Sequence, residues 1–110
     1  MVNKIEKIIE EVFRETLKQN FFKSERMTKL IDELQEILKE RGYWEILKEE
    51  VDRIRHILNE LEGERSRIKQ VLLVHELRFR IMNIQNSIYS LDVERGSEKG
   101  RQKERSHTKQ

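Results

Sequence analysis

The chain of 110 residues has no cysteine, no proline, four glycines and 6% aromatic residues. Without cysteine it can form no disulfide, no thiolate metal site and no cysteine nucleophile, a usage that suits a reducing compartment. Without proline and with so little glycine, nothing forces its helices to be short. No apolar run approaches the roughly 20 residues of a membrane span, and the opening "MVNKIEKIIEEVF" is a charged amphipathic repeat rather than a signal peptide. These absences describe a soluble, cytoplasmic protein. What the chain has in abundance is charge: Asp, Glu, Lys and Arg make up 40% of it. With Ile and Leu they give the composition of helices, in a chain long enough for one domain with a modest core.

Apolar periodicity predicts an all-α fold, an antiparallel bundle of three to four amphipathic helices with a long C-terminal helix. Ile5, Ile8, Ile9, Val12, Phe13 and Leu17 share one face of a first helix over residues 2–19. Ser24 or Thr28 can cap a second, with Met27, Leu30, Ile31, Leu34, Ile37 and Leu38 as its stripe and Gly42 at its end. In a third helix, over residues 43–62, Trp44, Leu47, Val51, Ile54, Leu58 and Leu61 follow a 3,4,3,4,3 spacing. Gly63 either ends this helix or lies inside a longer one. The acidic balance of residues 45–62 and the basic balance of 64–91 favour a break, because two such helices folded back on each other attract. The fourth helix, residues 64–91, repeats the heptad spacing with Val74, Leu77, Ile81, Ile84, Ile88 and Leu91. Ile68, Leu72, Phe79 and Met82 form a second apolar flank.

One helical bundle domain is expected over residues 1–91, followed by a disordered, mildly basic tail over 92–110. The first holds 17 basic and 17 acidic side chains, the second six and four, so the net charge of +2 belongs to the tail. The tail contains one apolar residue, Val93, too little to offset the entropy of ordering. Lys99, Arg101, Lys103 and Arg105 make it a possible nucleic-acid tether, though a weak one; the neutral body offers no broad phosphate-binding surface.

The stretch "IMNIQNSIYSL", residues 81–91, carries no charge at all. At about 1.5 Å per residue the fourth helix is longer than the first, so this end is expected to project past its neighbours. Neutral polar residues between apolar ones suit a surface that another chain covers. The plainer alternative is that the end lies deep in its own core. The expected partner interface comprises Ile81, Ile84, Gln85, Ile88, Tyr89 and Leu91, facing a second copy or another helical subunit.

Nothing in the sequence supports catalysis or a cofactor. His56 and His75 lack the carboxylate spacing of a helical metal site, and His75, between Leu72 and Phe79, reads as a core histidine. Arg101 and His107 match the R-x(4–6)-H spacing of the helical HEPN ribonucleases, but that chemistry needs an ordered helix in a dimer cleft. Arg78 and Arg80 flank Phe79 but point about 200° apart on a helix, so ion pairing with the acidic third helix is their expected role.

One segment resembles a known family. Residues 49–73, "EEVDRIRHILNELEGERSRIKQVLL", are similar to the long-helix region of archaeal GINS replication-factor subunits. The resemblance rests on Ile54, Arg55, Ile57, Leu58, Glu60, Leu61, Arg65, Arg67 and the apolar run from Val71. The chain departs from that family in lacking a "DDFY"-like element before this helix and a counterpart of the small β domain after it. The resemblance implies a non-catalytic scaffold of a replicative helicase complex, assembled through long helices, with residues 81–91 against a sister subunit. The competing expectation is a small self-associating nucleic-acid-binding or antitoxin-like helical protein that uses its basic tail.

Overall fold

The structure, a computed structural model, describes the backbone of residues 4–108 and the side chains of residues 4–95. Among them it is all-α: α1 (Lys4–Glu15), a 3₁₀ turn (Phe21–Lys23), α2 (Glu25–Glu40), α3 (Trp44–Gly63) and α4 (Arg67–Thr108). Each helix packs on the next, and α1 closes the bundle against α4. The second and third helices are as the periodicity predicts, Gly63 ends α3, and α4 continues past Leu91, where the periodicity ends it.

Local chemistry explains the breaks. The Ser24 hydroxyl accepts the Arg26 N–H and caps α2. At the other end of α2, Gly42 adopts φ +77°, the left-handed conformation that glycine tolerates. The Tyr43 N–H then reaches back to the Leu38 carbonyl and the Gly42 N–H to that of Lys39, a Schellman closure that drives Tyr43 inward. α1 stops at Glu15, four residues earlier than its periodicity suggests. The Thr16 hydroxyl bonds the Phe13 carbonyl, and the chain turns through Asn20 at φ 57°. Leu17, expected in the core, is therefore off the helical track and exposed.

The core is one layer of aliphatic side chains from all four helices, with Tyr43 fully buried among them. In α3 the inward residue is Ile57, and Leu58 is only half-buried, because α3 meets both α2 and α4 and buries a wider face than one heptad seam. Polar ties fix each seam. Arg26 bonds Glu11 between α2 and α1, and Arg55 bonds Asp32 and Gln35 between α3 and α2. Between α3 and α4, Arg53 forms a forked pair with Glu76, and Arg80 pairs with Glu50 at 2.9 Å. This last pair is the role expected for Arg80. Arg78 instead donates to the Thr16 carbonyl at the end of α1.

A polar latch joins the α2–α3 turn to α4. The Tyr43 hydroxyl donates to Asp92, Arg41 bonds the same carboxylate oxygen at 2.6 Å, and the Arg95 guanidinium stacks 4.3 Å from the Tyr43 ring centroid. Arg95 also donates to the Arg41 carbonyl. Residues 92–95, placed in the expected tail, are helical, and Asp92 and Arg95 contact the α2–α3 turn. The rest of the expected tail, 96–110, lies outside the residues whose side chains are described.

Burial of Asp92 opposes its ionisation, but hydrogen bonds from Tyr43 and Arg41 and the positive charges of Arg41 and Arg95 outweigh it and hold the carboxyl below its ordinary pKa. Burial and the Asp92 bond push the Tyr43 phenol up. Glu76 is held low chiefly by its bond from Arg53. Carboxylates with lowered folded-state pKa values stabilise the fold above their unfolded pKa, near 4, and that stabilisation is lost as pH falls through the folded value. Thermal melts should therefore show Tm dropping below about pH 4. Asp92→Asn should lower Tm at neutral pH by about 5 °C and flatten that acid slope. An Asp92→Asn melting curve that superimposes on wild type at both pH 7 and pH 3 would remove the latch from the account.

Candidate assembly surface

The expected interface residues divide sharply. Ile81, Ile84 and Ile88 are at most 4% exposed within a single chain, and Leu91 packs against the same core. The chain's own core covers them. The physical reason lies in the antiparallel α3–α4 pairing. α4 runs beside all 20 residues of α3 and then beside the α2–α3 turn, where Asp92 meets Tyr43. The relevant neighbour is this combined length, not the shorter α1, so residues 81–91 do not overhang. Gln85 and Tyr89 are exposed. Lys99, Arg101, Lys103 and Arg105 lie outside the described side chains.

The surface that is left open is the opposite face of α4. Leu17, Ile46, Ile68, Val71, Leu72, Phe79, Met82, Tyr89 and Val93 are the large apolar side chains exposed among the described residues, and all but the first two belong to α4. Six of these seven follow one spacing. Ile68, Leu72, His75, Phe79, Met82, Asn86, Tyr89 and Val93 are separated by 4,3,4,3,4,3,4 residues, an uninterrupted heptad stripe. Each central member precedes a core residue by two positions (Phe79 before Ile81, Met82 before Ile84, Asn86 before Ile88), about 200° around the helix. α4 therefore carries two seams, one filled by its own bundle and one in water.

The apolar members of the outer stripe are 47–75% exposed. His75 is also exposed, which corrects its expected place in the core. None of the eight is Asp, Glu, Lys or Arg in a chain that is 40% charged. On one side, Phe13, Leu17, Met82 and Gln85 line a shallow apolar groove of about 380 Å³ between α1 and α4. On the other, Ile46 of α3 meets the neutral Asn83, Ser87 and Ser90. The second apolar flank of α4 was visible in the sequence; its solvent exposure was not, because periodicity alone does not say which of two stripes a bundle will bury.

A second feature is polar. A cleft of about 770 Å³ opens between the α1–α2 connection and the start of α4, and its lining includes Lys18, Arg65, Arg67, His75 and Arg78 but no carboxylate. Lys18 is paired with Glu15, whereas no ion pair among the described residues engages Arg65 or Arg67. Such a cleft can attract an anion.

Among the described residues, no group of three or more His, Cys, Asp or Glu side chains could hold a metal ion, and no helix is long and apolar enough to cross a membrane. Comparison with protein-family models, curated proteins and solved structures finds no match to the chain.

The two faces of α4 should respond oppositely to charge. The double substitution Ile84→Glu, Ile88→Glu puts two unpaired carboxylates into the core at several kcal/mol each and should abolish cooperative thermal unfolding. Phe79→Glu, on the outer stripe, should leave the helical circular-dichroism signal intact and shift Tm by only a few degrees. A double variant that melts like wild type would contradict the assignment of the inner face.

Proposed function

We propose that the chain is a non-catalytic helical scaffold or adaptor subunit that works without a cofactor, in the cytoplasm, and assembles with another helical chain or with itself through α4. The observation that carries this reading is the outer heptad stripe of α4: a continuous, charge-free apolar seam in water on an otherwise highly charged molecule. Contiguous exposed apolar surface of this kind marks an interaction site, and heptad spacing suits an α-helix as its occupant. The resemblance of residues 49–73 to archaeal GINS subunits supports a narrower version, a structural component of a replicative helicase assembly. In that version the sister subunit docks on the outer stripe rather than on Ile81, Ile84 and Ile88.

The basic cleft favours a second reading, a self-associating nucleic-acid-binding or antitoxin-like protein. Its contacts would start from Arg65 and Arg67 and extend to the tail that holds Lys99, Arg101, Lys103 and Arg105.

Light scattering for self-association and affinity capture from the source lysate, each run on wild type and Phe79→Glu, test the scaffold reading. Assembly of either kind that Phe79→Glu removes without loss of helicity is the expected result. A wild type that neither self-associates nor retains a partner would overturn it. A gel shift with duplex DNA and single-stranded RNA in 50 and 200 mM salt tests the second reading. Salt-sensitive binding lost in Arg65→Ala, Arg67→Ala or on truncation after residue 96 would establish it, and no shift at 50 mM would exclude it.

A further inference from the structure

We infer that the occupant of the outer stripe is a second copy of this chain, packed with its α4 antiparallel to the first and with the two-fold axis between Phe79 and Met82. The inference rests on the scaffold reading and specifies the partner.

The argument begins with register. In an antiparallel helix pair, layers form between residues whose numbers add to a constant. If Phe79 opposes Met82 of the other copy, the remaining layers follow without choice: His75 opposes Asn86, Leu72 opposes Tyr89, and Ile68 opposes Val93. Every apolar residue of the stripe meets an apolar residue, and the two polar positions meet each other, where an imidazole and a carboxamide can exchange a hydrogen bond. Sliding the pair by one heptad in either direction breaks this. In one direction His75 faces Phe79 and Ile68 faces Asn86; in the other His75 faces Val93 and Met82 faces Asn86. Both bury unpaired polar groups against apolar ones. A polar pair at a single layer is a known device for fixing the register of a helical seam.

Charge disfavours the parallel pair. Side-by-side parallel copies would place Arg65, Arg67 and Lys69 of one chain beside the same three residues of the other. The antiparallel pair instead brings Arg67 to the level of the exposed Glu94 of the opposite copy, and Lys69 to the level of Asp92, whose charge is already met by Arg41. The described basic side chains at that end are engaged within their own chain: Arg95 lies over Tyr43 and on the Arg41 carbonyl, and Arg41 bonds Asp92.

Area is sufficient. The six apolar members of the stripe leave roughly 700 Å² exposed per chain, so two copies could cover at most roughly 1,400 Å² of it together, within the range of an ordinary stable interface. Phe13 at the adjoining edge of α1 and Leu17 just beyond its end add to this. The contact is isologous, each half repeating the other, so it closes at a dimer and leaves no open end for fibre growth.

The absence of native cysteine makes the test direct. Leu72→Cys and Tyr89→Cys each replace an exposed side chain. In the inferred dimer, residue 72 lies opposite residue 89 of the other copy and about 25 Å from its own equivalent, far beyond disulfide reach. Under mild oxidation, an equimolar mixture of the two variants should give a disulfide-linked dimer, and neither variant alone should do so. Wild type should scatter light as a dimer at about 100 µM, and Phe79→Glu, still helical, should weaken association roughly 100-fold. Cross-linking of each variant with itself would show a parallel seam and overturn the inference. A monomeric wild type would overturn it too; if that monomer captured a different protein and Phe79→Glu released it, the scaffold reading would survive while self-pairing failed.

Discussion

The antiparallel pairing of α3 with α4 is the contact on which the rest of the structure depends. It is fixed at two heights. Midway, the carboxylates of Glu76 and Glu50 meet the guanidinium groups of Arg53 and Arg80. At the far end, Tyr43 and Arg41 converge on Asp92. Surface ion pairs of this kind contribute little stability individually, so their importance lies in register and rotation. With both fixed, Leu77, Ile81, Ile84 and Ile88 face the core, and the residues two positions before them face water. A shift of one or two residues would exchange these roles and expose the larger set of aliphatic side chains.

That rotation explains the uncharged stretch at residues 81–91. On a helix with one buried face, charge normally returns on the other. Here the inner face belongs to the core, the outer face belongs to a second apolar stripe, and the α3 flank is occupied by Asn83, Ser87 and Ser90 beside Ile46. The exposed polar positions that remain, Gln85, Asn86 and Ser90, border these apolar surfaces. The sequence question of what this stretch touches therefore has two answers at once: its own bundle on one side, and on the other the surface proposed for assembly.

Much of the fold was legible because its signals are local. The cap at Ser24 and the left-handed glycine at position 42 act within a turn of themselves; the break after Gly63 was read instead from the opposite charge of the two segments it separates. The bundle stripes of α2 and α4 follow from spacing alone. What escaped depended on comparisons between elements. The end of α1 is decided by one hydroxyl, Thr16, turning back on Phe13, a competition that periodicity does not register. Asp92 looked like the first residue of a tail because the apolar pattern stops before it; its partners, Arg41 and Tyr43, are some 50 residues away in sequence. The interface was placed at Ile81, Ile84 and Ile88 because α4 was measured against α1, when its length is matched by α3 and the turn before it. Both stripes of α4 could be read from the sequence, but the core claims only one of them.

Folding alone does not account for the stripe that was left over. Replacing an exposed Phe79 or Met82 with lysine or glutamate changes the stability of a lone bundle by a few tenths of a kcal/mol, within the ordinary range of surface substitutions. A chain that uses charged residues at 40% of its positions draws freely on such replacements elsewhere. Scattered apolar residues on a surface call for no explanation, since much of any protein surface is apolar. Eight positions in unbroken heptad register, none of them charged, are a different observation. The two polar members sharpen it. A surface that was merely sticky would gain from apolar residues at positions 75 and 86, whereas histidine and asparagine there weaken indiscriminate contact and pair only in one alignment. This is the pattern expected when a seam must choose its partner as well as hold it.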